Sequence, residues 1–151
     1  MSASSHFVYV TIIRTTPAKL WEALTDPKLI RQYWYGVNVE CAWTKGAPWK
    51  LAFPDGRLAD AGEILEIAPP RRILIRWQNE WNPEMKAEGP SCCTIDLEPL
   101  DDAVKLTITH DLDRPESRFI RAVSGAWPYT LANLKSLLET GAVATNSHPG
   151  H

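Results

Sequence analysis

A single long apolar stripe near the end of this chain limits how it can fold. Phe119, Val123, Trp127, Leu131, Leu134, Leu137 and Leu138 recur at the spacing of one helix face, and Gly141 follows as a helix stop. A stripe that long must be covered. Upstream, from Gly36 to about His110, the pattern is strands and turns: Trp49–Phe53, Leu58–Ile67, Ile73–Trp81, Cys92–Glu98 and Val104–Leu112. They are separated by the breakers FPDGRL, APPRR and EPLDDAV. Short connections between strands imply an antiparallel meander. Earlier still, His6–Arg14 alternates as a strand. Thr16-Pro17 and Thr25-Asp26-Pro27 then read as starts of two short helices. The order is strand, two short helices, several strands and one long helix, which is an α+β class. The late helix has only the sheet to bury its stripe against, and a curved sheet gripping one helix leaves a cavity between them.

Composition narrows the functional classes. The chain has 151 residues, with 44% hydrophobic and 23% charged side chains, as expected for one ordinary globular domain. The expected division is a single domain over residues 1–141 and a loose tail over 142–151. The formal charge is −2 and no basic stripe occurs, which argues against nucleic acid as a partner. Three cysteines without a CxxC give no disulfide framework or zinc pattern. A reducing, cytoplasmic location is the simpler expectation. No secretory leader or apolar run of membrane-spanning length is legible. No nucleotide-binding, metalloprotease or nucleophile-elbow motif appears, so no metal, cofactor or catalytic residue is assigned.

Three segments carry a resemblance: TPAKLWEALTDPKLIRQYW (Thr16–Trp34), GEILEIAPPRRILIRW (Gly62–Trp77) and GAWPYTLANLKSLLETG (Gly125–Gly141). With the strands between them, over about residues 7 to 141, the chain resembles the START-like, or SRPBCC, helix-grip superfamily. Within it, the branch of homologues of the activator of heat-shock protein 90 ATPase is the more similar. The resemblance implies a curved antiparallel sheet around a C-terminal helix, two small helices closing one end, and a cavity. It implies no single reaction, because the superfamily includes carriers, enzymes and co-chaperone-like domains.

Strand alternation then nominates the cavity residues. Ile73, Ile75, Trp77, Asn79 and Trp81 share one face of a strand, and Val104, Leu106, Ile108, His110 and Leu112 one face of another. Asn79 and His110 are the polar exceptions; they either satisfy buried partners or orient a ligand. The expected ligand site is Trp34, Ile75, Trp77, Asn79, Trp81, Ile108, His110, Trp127 and Leu131. Trp43 and Trp49 fall in an irregular stretch and are expected at the cavity mouth, and Trp21 is expected in the core. Pro128 is expected to restart or kink the last helix, holding Trp127 over the sheet. Glu80, Glu84 and Glu88 read as a solvated loop. The leading expectation is binding of a small apolar or amphipathic molecule. The alternative is a co-chaperone-like domain whose partner is a chaperone or other protein. The third is an enzyme using His110, with Asn79 orienting. Oligomeric state stays open, a homodimer included.

Overall fold

The alternation at the start of the chain forms β1 (Ser5–Ile13) in the computed structural model, which describes residues 4–145. Phe7, Tyr9 and Ile13 point inward, and Val8, Val10 and Ile12 outward. Helix α1 (Pro17–Thr25) starts where Thr16 accepts the Lys19 N–H, with proline at its first position. Helix α2 (Pro27–Tyr33) starts on Asp26 in the same way. Tyr35 and Gly36, at φ 50° and 78°, turn the chain into the sheet. The next strands are β2 (Asn38–Cys41), β3 (Pro48–Ala52), β4 (Leu58–Ala68) and β5 (Arg72–Asn79). A short helix, α3 (Pro83–Ala87), precedes β6 (Ser91–Pro99), β7 (Val104–Leu112) and the last helix, α4 (Arg118–Thr140).

The seven strands form one antiparallel sheet in the order β1-β7-β6-β5-β4-β3-β2. This is the curved sheet and long C-terminal helix of the helix-grip architecture. Strand β2 and helix α3 add to the expected elements. Strand β5 stops two residues earlier than the alternation suggested, because Asn79 accepts the Asn82 N–H at 3.0 Å and bends the chain away.

Two local devices set the geometry of the core. In the first, Trp49, Gly62 and Trp77 are in register across β3, β4 and β5. A Cβ on Gly62 would lie 1.6 Å from the Arg76 carbonyl oxygen. With no side chain between them, the Trp49 and Trp77 rings approach to 4.4 Å between centroids. In the second, Glu88 anchors the start of α4. Its carboxylate accepts Ser117 Oγ–H at 2.6 Å and the Arg118 and Phe119 N–H groups at 2.8 and 3.2 Å, while Ser117 Oγ accepts the Ile120 N–H. Glu88 is therefore a helix anchor, where a solvated loop residue was expected.

The restart expected at Pro128 does not occur. Helix α4 runs unbroken through it from a cap well upstream, at Ser117. Phe119, Ile120, Trp127, Leu131 and Leu134 are buried against the sheet and α2, and this packing carries the helix past the hydrogen bond that proline cannot make. Asn133 ties down the chain beyond the helix: its Oδ1 accepts the Ala144 and Thr145 N–H groups at 2.9 Å, and its Nδ2 donates to the Tyr33 and Thr145 carbonyls. The first residues of the expected loose tail are thus held to α4; the remainder, 146–151, lies outside the described residues.

Candidate functional site

Between the sheet and α4 lies an apolar hollow of about 30 Å³, room for roughly one or two water molecules. Six of the nine expected residues line it: Trp34, Ile75, Trp77, Ile108, Trp127 and Leu131. Trp43 and Trp49 join them, with Leu24, Ile30, Tyr33, Val39, Leu51 and Ile95. Trp49 is buried on β3 as part of the wall. Trp43 and Trp34 are half-buried at the rim. Trp21 packs against the core, also half-buried. The inner rings are close but tilted: Trp34 lies 5.3 Å from Trp127 and 6.0 Å from Trp77, and Trp77 lies 5.9 Å from Trp127, between centroids. Both rim tryptophans sit beside left-handed backbone. Trp43 itself has φ 55°, and Trp34 precedes Tyr35 and Gly36.

Three expected residues are not in that lining. Trp81 is 51% exposed and packs edge-on against Phe53 at 6.0 Å, because the turn at Asn79 has taken it off the inward face. Asn79 is buried and spends its side-chain oxygen on that turn. His110 is fully buried on the inward face of β7, behind Trp77, with ring centroids 5.0 Å apart.

The His110 ring sits in a chain of hydrogen bonds whose direction is set by chemistry. The Trp127 indole can only donate, so His110 Nδ1 accepts its N–H, at 3.2 Å. His110 Nε2 therefore carries the proton and donates to Ser91 Oγ at 2.8 Å. Ser91 in turn donates its O–H to the Trp77 carbonyl at 3.1 Å. Burial pushes the imidazole pKa down to about 3, so the ring is neutral and both nitrogens are occupied. Neighbouring Cys93, opposite His110 on β6, is fully buried, and burial raises its thiol pKa. This is a satisfied core histidine beside an inert thiol, and it offers no activated nucleophile pair.

One polar group nearby was not singled out from the sequence. Asp60 on β4 lies in register between Leu51 and Asn79, two residues along the strands from the Trp49–Gly62–Trp77 row and so on the same face. Burial pushes its carboxyl up to about 6; the Trp77 indole N–H opposes this and the Glu80 charge adds to it. That N–H nevertheless closes no hydrogen bond among the described residues. The signal in the sequence was an aspartate sharing strand parity with Gly62 and Ile64.

A larger, open groove of about 290 Å³ lies on the outer face of β2–β4, lined by Asn38, Glu40, Lys50, Ala52, Gly56 and Leu58. Its mixed, solvent-facing lining lacks the convergent apolar walls of the inner hollow. Among the described residues no three His, Cys, Asp or Glu side chains are grouped to hold a metal. None of the helices there is long and apolar enough to cross a membrane. The outward side chains Val8, Val10 and Ile12 of edge strand β1 are 58%, 47% and 50% exposed and form a short apolar stripe.

Comparison with solved structures gives the same fold. The protein MLL2253 from Mesorhizobium loti superposes with a TM-score of 0.78 at 23% identity, covering 89% of this chain and 97% of that one. The Aha1 dimer from Colwellia psychrerythraea gives 0.73 at 22%, covering 91% and 98%. PFC0360w, an HSP90 activator from Plasmodium falciparum, gives 0.71 at 22%, covering 88% and 95%. No curated protein sequence matches the chain. The family model described as activator of Hsp90 ATPase homolog 1-like protein matches residues 14–139, from the end of β1 almost to the end of α4, and the chain belongs to that family, within the START-like helix-grip proteins.

Proposed function

We propose that this domain binds a small, mainly apolar molecule in the hollow between the sheet and α4. The observation that carries the reading is the lining: five tryptophans (Trp34, Trp43, Trp49, Trp77 and Trp127) converge with aliphatic side chains on one enclosed space. The space as it stands is too small for a ligand of several heavy atoms. Binding therefore requires the rim to open. Trp34 and Trp43 are the rings to move, since they are half-buried and sit on turns rather than on strands. The test is a panel of small aromatics, fatty acids and flavonoids, followed by tryptophan emission, melting temperature and native mass spectrometry. Saturable quenching with a matching rise in melting temperature is expected. A panel that changes neither signal removes this reading.

The second reading, a protein-interaction domain, draws on the Val8–Val10–Ile12 stripe. A second copy of the chain is one occupant it fits, and one structural relative is described as a dimer. Light scattering on the wild type and on the Val8→Lys/Val10→Lys double variant decides it: a dimer that becomes a monomer supports the stripe as an interface, and an unchanged mass removes it. The His110 enzyme reading gains no support from a buried ring with both nitrogens bonded.

A further inference from the structure

We propose that the segment after α4, residues 142–145, is a latch on the hollow: while it is fastened, the end of α2 and the Trp34 rim stay closed, and its release is the step that lets them open. The latch is a property of the protein alone, and its test needs no ligand.

The turn at Gly141, with φ 86°, sends the chain back along the helix it has just left. The Ala142 carbonyl accepts the Ser136 hydroxyl at 2.6 Å, and the Ala144 and Thr145 N–H groups reach Asn133 Oδ1 at 2.9 Å. The segment thus runs antiparallel beside the last turns of α4. Its Val143 side chain packs on the core, and Ala142 and Ala144 are exposed. Few buried apolar contacts hold it, so it belongs among the segments that open first.

What the segment holds is Asn133. A side-chain amide has two N–H donors and an oxygen with two lone pairs, and the buried Asn133 uses all four. Three go to the segment: the Ala144 and Thr145 N–H groups, and the Thr145 carbonyl, which accepts from Nδ2 at 2.9 Å. The fourth is the Nδ2–H donated to the Tyr33 carbonyl at 3.3 Å. Tyr33 closes α2, whose last turn leaves carbonyls without helical donors. Trp34 follows, and the chain then turns at Tyr35 and Gly36. Ile30, Tyr33 and Trp34 all line the hollow. One amide therefore fastens α2 where it forms the wall and rim, and the segment fixes which way that amide points. With the segment away, the amide loses three of its four partners. The longest of the four bonds is then left to hold the end of α2, on an amide that can turn.

Amide hydrogen exchange of the full chain, without ligand, tests this. The Trp34 and Gly36 N–H groups, bonded to the Ile30 and Arg31 carbonyls, report the rim. The Ala144 and Thr145 N–H groups report the latch, and the paired amides of β6 and β7 report the sheet. In the wild type the rim amides should be at least as protected as the latch amides, because the rim opens only after release. Ala144→Pro removes one N–H from Asn133 at an exposed position. It should speed exchange at Trp34 and Gly36 by about tenfold, the worth of one hydrogen bond, with β6 and β7 unchanged. Ala144→Gly keeps the N–H and should leave the rim near its wild-type rate. Rim amides less protected than the latch amides in the wild type overturn the inference, and since that comparison needs no variant, a misfolded substitution does not shelter it. Rim rates unchanged in Ala144→Pro also overturn it. So does equal acceleration across the sheet, which would make the segment an ordinary contributor to global stability. A rim released by Ala144→Pro in a protein that binds nothing from the ligand panel upholds the latch and removes only the binding reading.

Discussion

His110 and Asp60 titrate in opposite senses, and this gives the fold a testable pH behaviour. Burial holds the imidazole near pKa 3 against an ordinary 6.5. Between those values the unfolded chain binds a proton that the folded chain refuses, so the histidine removes stability as pH falls. Asp60 is raised from 3.8 to about 6. Between those values the folded chain holds the extra proton, so the aspartate adds stability as pH falls. Each slope is at most about 1.4 kcal/mol per pH unit, and the two oppose each other from about pH 6 to about pH 4. Asp60→Asn removes one of them. Urea titrations at successive pH values are expected to show the variant losing stability more steeply than wild type over that interval; parallel curves would mean that Asp60 titrates like a solvated carboxyl. His110→Phe tests the hydrogen-bond chain. It orphans the Trp127 N–H and should cost about 1–3 kcal/mol; because Trp127 is a wall of the hollow, ligand affinity should fall with it.

At the scale of elements, Gly62 and Glu88 are the positions where one residue decides a contact between segments. Gly62→Ala places a methyl against the Arg76 carbonyl. The β4–β5 pairing must shift and the Trp49–Trp77 contact must open, with a loss of about 1–3 kcal/mol or more. Thermal unfolding measures this, and an unchanged melting point would show the strand able to relax around the methyl. Glu88→Ala leaves the first N–H groups of α4 without their carboxylate and should cost about 1 kcal/mol. Burial alone raises the Glu88 pKa, but its three hydrogen bonds outweigh burial and hold it below the ordinary value. That stability is present above the unfolded carboxyl pKa and lost as pH falls through the folded one. Hydrogen exchange at Arg118–Ile120 should accelerate in the variant, and equal rates there would contradict the anchor.

The same scale shows what the sequence made legible. The helix stripe, the long strands and the two Thr-Pro and Asp-Pro helix starts were readable because each repeats its period or cap signal within a few residues. Strand β2 was not, since four residues cannot establish an alternation. Helix α3 carried the same signal as α1 and α2, Asn82 followed by Pro83, but the surrounding glutamates suggested solvent. Of the cavity residues, Ile75, Trp77 and Ile108 on the strands and Trp127 and Leu131 on the last helix were found by parity or helical spacing, whereas the lining residues of α1, α2, β2, β3 and β6 were not nominated for the ligand site. Trp81 was misplaced because alternation says nothing of where a strand stops, and that depended on the Asn79 side chain bonding the backbone three residues on. Asp60 needed register across three strands before its position beside Trp77 had meaning.

For the molecule as a whole, one edge of the sheet joins distant parts of the sequence: β1 pairs along its full length with β7, from Ser5↔Leu112 to Ile13↔Val104. That pairing closes a large loop, which makes folding slow for a domain of this size, on the order of milliseconds to seconds. If β1 docks after the β3–β7 meander has formed, Ile13→Val should act mainly by speeding unfolding, with the refolding rate nearly constant. Stopped-flow kinetics in urea would show it, and a refolding limb that slows in proportion to the lost stability would place β1 in the nucleus instead. The hydrogen-bond chain from Trp127 through His110 and Ser91 to the Trp77 carbonyl has a consequence at this scale. Oil against oil has no preferred azimuth, and a helix whose stripe merely rests on a sheet can roll or slide by a turn with little resistance. Here the indole of α4 is a key with a single keyhole. Turn the helix by one residue and the indole N–H faces hydrocarbon while His110 Nδ1 loses its donor. The greasy interface therefore has one seat, and the tryptophans around the hollow inherit that precision from a histidine that never meets the solvent.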